Sequence, residues 1–214
     1  DITVVSISVI SKLYESDKNS EIVINSNENS FISSELFNII KGTNRTLKIN
    51  NNDNELIFKG NDIKEAKTID VNAKVYLTEV NNNINEMVKK GIIIDFPDNG
   101  LLPGNALVKI KNNDDIKKVL DSKVNVYYYN DKTNKFRLIS RGITLTEDYY
   151  EFNISHTSSY VLTNEEIDKK YLETNENVVN FQKSNKVNLL LIGAGVLVII
   201  GTTCLIIFIK RKNK

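Results

Sequence analysis

The sequence is poor in the residues on which most protein chemistry is built. It has one cysteine, one histidine, two prolines, one methionine and no tryptophan among its 214 residues. With Cys204 as the only thiol, no internal disulfide can staple the chain and no cysteine-based metal framework is available. His156 is the only imidazole and so the only possible histidine base, and no serine, threonine or carboxylate pattern elsewhere marks a hydrolase triad. An excess of one charge is missing too. The 28 Lys and Arg balance 27 Asp and Glu, without the basic face or stripe that drives nucleic-acid binding. No glycine-rich phosphate loop follows a strand, and no cofactor is implied.

What is present is an uneven distribution. The mean hydropathy of -0.27 averages a polar body with one apolar block, VNLLLIGAGVLVIIGTTCLIIFI, running from Val187 to Ile209 without a charge. At ~1.5 Å per residue, about 23 residues of helix reach roughly 34 Å, enough to cross a ~30 Å hydrocarbon core with some tilt. The pattern predicts one transmembrane helix over 187–209, with the lipid bilayer as its partner. Lys210, Arg211, Lys212 and Lys214 follow it directly, whereas Lys183 and Lys186 before it are opposed by Glu173 and Glu176. Retention of the more basic flank in the cytoplasm predicts a short cytoplasmic tail, 210–214, and residues 1–186 outside the cell membrane. Such an orientation requires an export signal, and the chain begins at Asp1 without one, so a removed leader or a longer parent chain is expected. Cys204 reads as a small filler of the span, and Gly193, Gly195 and Gly201 lack the GxxxG spacing of helix dimers.

Four of the 28 basic residues sit in the tail, leaving 24 against 27 acidic residues in the outer part, a mildly acidic balance that favours solubility. That part reads as mainly β. Val71 to Thr78 alternates apolar and polar residues, and Ile2 to Val9, Glu21 to Ile24, Thr46 to Ile49 and Leu56 to Phe58 are shorter strands, the last two joined as a hairpin by NNNDN. A helix begins at Ser33 or Ser34, places Leu36, Ile39 and Ile40 on one face and stops at Gly42. A second helical turn or two is expected over 84–90. GIIIDFPDNGLLPG predicts a strand closed by a turn, because Pro97 and Pro103 cannot donate a ladder bond and Gly100 and Gly104 permit tight turns. Ala106 to Ile110, Val124 to Tyr129 paired with Lys135 to Ile139, Ile143 to Thr146, Tyr150 to Ser155 and Ser159 to Leu162 continue as an antiparallel meander. The expected body is an antiparallel β-sandwich-like region over 1–163 with one or two short helices. It divides into two strand-rich halves, 1–80 and 91–163, which make either one sandwich or two small domains. The charged, Asn-rich residues 164–186 read as a stalk.

Three stretches in order, LLPGNALVKI, VNVYYYNDKTNKFRLI and YYEFNISHTSSYVLT, resemble the β-rich terminal module of membrane- or wall-anchored surface proteins of low-GC Gram-positive bacteria of clostridial type. SSELFNIIKGTNRTLKIN and NELIFKGNDI resemble its companion segment, so the likeness spans roughly residues 33–163. It implies an extracellular, non-enzymatic spacer or adhesive module, with cell-envelope or host-surface components as partners. No LPxTG signal precedes the span, which favours membrane anchoring over covalent wall attachment.

Local chemistry is sparse. His156-Thr157-Ser158 resembles the cleavage sequence of self-cleaving β-domains: the imidazole would take the Ser158 proton, the freed oxygen would attack the Thr157 carbonyl, and water would hydrolyse the ester. The chemistry requires a strained turn, whereas the simpler reading is a small polar turn that ends a strand. Asp95, Asp98 and Asn99, and then Asn112, Asn113, Asp114 and Asp115, lack the spacing that wraps oxygen ligands round Ca²⁺, so they read as solvated turns and no metal is expected. In the run Tyr127, Tyr128 and Tyr129, alternation sends Tyr128 to the opposite face, so at least one ring is core. Tyr127 and Tyr129 are the candidate binding residues of a module whose ligand is not legible.

Overall fold

The computed structural model describes residues 17–26, 31–51 and 53–173. The expected strand over Ile2 to Val9, the segment 174–186, the span Val187 to Ile209 and the tail with Lys210, Arg211 and Lys212 lie outside the described residues. Among the described residues no helix is long and apolar enough to cross a membrane.

The body is mainly β, and its principal sheet is mixed rather than antiparallel. In chain order the elements are β1 (Glu21–Asn25), β2 (Phe31–Ile32), α1 (Ser34–Ile40), β3 (Thr46–Asn51), β4 (Asn54–Lys59), β5 (Ile69–Asp70), β6 (Lys74–Leu77), α2 (Asn82–Asn85), β7 (Ile92–Lys111), β8 (Lys123–Asn130), β9 (Lys135–Thr144) and β10 (Tyr149–Thr163). The eight-stranded sheet runs β1-β3-β4-β7-β10-β8-β9 with β6 also on β7, while β2 and β5 form a separate pair. Within it the strands β1 and β3 pair in parallel. A parallel pair needs a crossover connection, and α1 supplies it, burying Leu36, Phe37, Ile39 and Ile40. Gly42 ends that helix with φ +70°, a conformation that costs glycine little. The buried Arg45 guanidinium donates to the Ile39 carbonyl near the helix end. Phe37 and Phe58 meet edge to face at 5.1 Å. β4 and β6 of the first strand-rich stretch both pair with β7 of the second, so one sheet carries strands of both.

Two expected turns are absent because β7 and β10 run through them. β7 passes Pro97, Gly100, Pro103 and Gly104 without reversing, and β10 passes His156-Thr157-Ser158. The prolines are accommodated by irregular register. Asp95 faces Ser159 and Gly100 faces Thr157, so residues 96–99 oppose Ser158 alone; a second such step separates Leu101 opposite His156 from Ala106 opposite Ile154. A residue without an N–H fits such bulges, where the ladder bond is already missing. The Pro103 carbonyl accepts instead from the N–H groups of Lys64 and Glu65. A Cβ on Gly104 would lie 2.4 Å from the Asp62 carbonyl oxygen, so this close approach requires glycine.

The strand expected over 71–78 is shorter, with ladder pairing only over Lys74–Leu77. The Asn51 and Asn54 side-chain amides take the Val71 and Ala73 carbonyls in place of a neighbouring strand. The large core packs α1, β3, β4 and the Ala106–Ile110 part of β7 against β10. The run Ile92, Ile93, Ile94 is buried on both faces: Ile92 and Ile94 join that core, whereas Ile93 joins a second cluster with Ile84, Val88, Tyr127, Tyr129, Phe136, Val161 and Ile167. Burial on both faces explains why this stretch reads as a continuous apolar run.

The residues expected to open the stalk are docked on the body. Ile167 is 6% exposed, Leu172 bridges to Phe136, and Arg141 pairs with Glu166. The Asn164 amide donates to the Lys123 carbonyl at 2.7 Å, and the Glu165 carboxylate accepts from the Lys89 N–H at 2.9 Å. The second cluster needs this cover, which the charge-rich sequence around Ile167 does not advertise.

Candidate functional site

The only histidine lies where β7, β8 and β10 are adjacent. Ladder register sets Tyr160 opposite Tyr128 and, on the next strand, Tyr128 opposite Arg137. His156 lies opposite Leu101 of β7. Paired residues share a face, so Tyr128, Tyr160 and Arg137 form a row. An aromatic series links this row to the large core. Phe96 and Phe152 lie 6.4 and 6.0 Å from Tyr160, His156 stacks on Tyr160 at 5.7 Å, and Tyr128 meets His156 edge to face at 5.1 Å. The Arg137 guanidinium lies 4.8 Å from the Tyr128 ring centre, a cation–π contact.

The hydrogen bonds fix the imidazole. The Tyr160 hydroxyl donates to the His156 carbonyl at 2.7 Å, and its oxygen is 3.2 Å from His156 Nδ1, which also lies 3.4 Å from the Thr157 carbonyl oxygen. Two acceptor oxygens around Nδ1 assign the ring proton there and leave Nε2 as the acceptor nitrogen, without a hydrogen-bond partner among the described residues. Burial holds the imidazole below its usual pKa; the Thr157 carbonyl opposes that shift and the Arg137 charge adds to it. Burial raises the Tyr160 hydroxyl far above the ordinary tyrosine range, so it is neutral at any physiological pH.

This arrangement bears directly on His156, Thr157 and Ser158. Thr157 and Ser158 are buried. Thr157 Oγ1 donates to the Gly100 carbonyl and accepts from the Gly100 N–H, at 3.2 and 3.0 Å, bridging the gap between the two bulges. Ser158 Oγ is buried without a hydrogen-bond partner. The imidazole is therefore engaged with Tyr160 and the Thr157 carbonyl rather than with the serine it would have to deprotonate, and the segment is extended strand rather than a tight turn.

Tyr127 and Tyr129 are packed rather than displayed, 2% and 6% exposed. They contact Phe136 at 6.3 and 5.0 Å, and the Tyr129 hydroxyl donates to Asn134 at 2.8 Å. The half-buried member of the run is Tyr128. It lines an open groove of about 400 Å³ with Asn99, Leu101, Asp131, Lys132 and His156. Leu101 is 71% exposed at its rim. Composition does not point to Leu101 or Arg137, but the hairpin register, counted back from the NDKTN loop, would have placed Arg137 beside Tyr128.

The acidic clusters act as local structure. Asp95 accepts from the Ser159 hydroxyl at 2.6 Å. Asn113 Oδ1 accepts from the N–H groups of Asp115 and Ile116, nucleating a 3-10 turn at Ile116–Lys118. Among the described residues no group of three or more His, Cys, Asp or Glu side chains could hold a metal ion. Comparison of the chain with family models, curated proteins and solved structures returns no match.

Proposed function

We propose that the protein is a single-pass, membrane-anchored surface protein of a Gram-positive bacterium whose β-rich body serves outside the cell as a structural or adhesive display module. The observation that carries this reading is the uncharged run from Val187 to Ile209 with a basic flank immediately after it. The body is consistent with display rather than catalysis. Its single histidine is held by Tyr160 and the Thr157 carbonyl, and the Ser158 hydroxyl has no hydrogen-bond partner. A rigid sheet without disulfides suits a spacer that must fold after export.

The test is topological. In a Cys204→Ala background, single cysteines are placed at Asp114, exposed on the body, and at Asn213 in the tail. A membrane-impermeant maleimide should label Asp114→Cys in intact cells and Asn213→Cys only after permeabilisation. The reverse pattern, or recovery of the chain in the soluble fraction, refutes the proposal.

A further inference from the structure

We infer that the groove between the bulged part of β7 and the β8–β9 hairpin is a binding site for a neutral carbohydrate. The inference rests on the reading of the body as an adhesive module and supplies the ligand class that reading lacks.

The lining supplies the argument. Leu101, 71% exposed, and the half-buried Tyr128 ring give apolar surface at the rim and floor of a groove of about 400 Å³. That size lies within the roughly 300–1,000 Å³ of small-ligand clefts. Around this surface stand groups of both hydrogen-bonding senses: Asn99 can donate and accept, Asp131 accepts, and Lys132 donates. His156, held at Nδ1 by Tyr160 and the Thr157 carbonyl, adds an imidazole to the lining. A sugar ring presents apolar C–H faces edged by hydroxyls that each donate and accept, which is the complement of this lining. The one acidic and one basic side chain in the groove offset each other, so nothing there selects a phosphate or another strongly charged ligand.

Peptide capture by strand addition is disfavoured, because β8 is already bonded to β9 and β10, and β10 to β7. The floor is preorganised. Arg137 holds Tyr128, and His156 is stacked on a Tyr160 that is 1% exposed. Binding therefore need not order the floor.

Because His156 is the only histidine, its ring carbons and protons are a single unobscured reporter of the groove. The experiment uses the full chain with ¹³C-labelled histidine in a detergent lacking sugar head groups. It is titrated separately with triacetylchitotriose, cellotriose and maltotriose, and with triglycine. A saturable shift of the His156 ring signals is expected with at least one trisaccharide and none with triglycine. Leu101→Arg, at an exposed position where the fold tolerates change, should weaken that response at least tenfold with an unchanged melting temperature. Tyr128→Ala should abolish it. The inference is overturned if no trisaccharide gives a saturable shift, if triglycine gives one equally well, or if Leu101→Arg leaves the response intact. None of these outcomes touches the maleimide labelling, so failure of the groove and failure of the anchor are read separately.

Discussion

The two faces of β8 meet different fates although adjacent tyrosines build them. On one face Tyr127 and Tyr129 pack with Phe136, Val161 and Ile93, covered by Ile167 and Leu172 from the segment after β10. On the other, Tyr128 is held by Arg137 and His156 beside an open groove. Strand pairing is the same for all three residues. What differs is whether another part of the chain arrives to cover the ring. Burial on a sheet is decided by what packs over it, and residues 164–172 decide it for one face only.

Breaking the covered face should have the largest effect. Phe136 is fully buried and touches both tyrosines, so Phe136→Ala should cost about 3–5 kcal/mol in a urea denaturation series. A loss under about 1 kcal/mol would mean that the cluster collapses around the gap or contributes little. Ile167→Ala removes the cover rather than the floor and should cost about 2 kcal/mol, the lower end for such a truncation, because the site lies at the periphery. Amide hydrogen exchange distinguishes cover from spacer. The Tyr171 and Leu172 N–H groups, which donate to Asp168 and Lys169, should exchange faster in the variant while β3 and β4 keep their protection. Unchanged exchange would show that 164–172 behaves as a stalk from its first residue.

The same comparison explains what could be read in advance. The hairpins β3–β4 and β8–β9, α1 and its stop at Gly42 were legible, because each is specified within a few residues by alternation, a cap position or a turn. The continuity of β7 and β10 was not. Pro97, Gly100, Pro103 and Gly104 carry a strong local turn signal, and only pairing with a distant partner converts them into bulges. His156-Thr157-Ser158 read as a turn for the same reason, since the Thr157 bridge to Gly100 spans residues far apart in sequence. The parallel pairing of β1 with β3 was hidden, although α1 lies between the strands as a crossover requires. At the site, alternation separated Tyr128 from its neighbours but could not say which face would be covered, because Ile167 lies among charged residues.

The open face should respond more weakly. Arg137 touches Tyr128 through a cation–π contact, which at partly exposed sites is worth about 0.5–1 kcal/mol. Arg137→Gln should therefore lower stability by no more than that, well below the cost of losing Phe136. A loss of several kcal/mol would show that the two faces are equally structural and would remove the contrast.

Acidification gives the subtlest separation, through His156 alone. Unfolded, its imidazole titrates near pH 6.5. In the fold, burial and the Arg137 charge hold it lower, with the Thr157 carbonyl opposing them only in part. Between the two values the unfolded chain binds more protons than the native one, so native stability rises with pH across that window. This contribution is fully present above about pH 6.5 and is lost progressively as the pH falls through that value toward the lower folded one. Tyr160, which stacks on the ring, stays neutral throughout. Carboxylates titrate in the same acidic range, so the native chain is compared with His156→Gln, in which their contribution is retained. The stability advantage of the native chain over the variant should shrink between about pH 7.5 and pH 5.5. Parallel pH curves would mean that the imidazole is as easily protonated in the fold as in water. The series from Tyr160 to Tyr128 would then offer no desolvated floor to the groove, and the two faces of β8 would differ in cover but not in polarity.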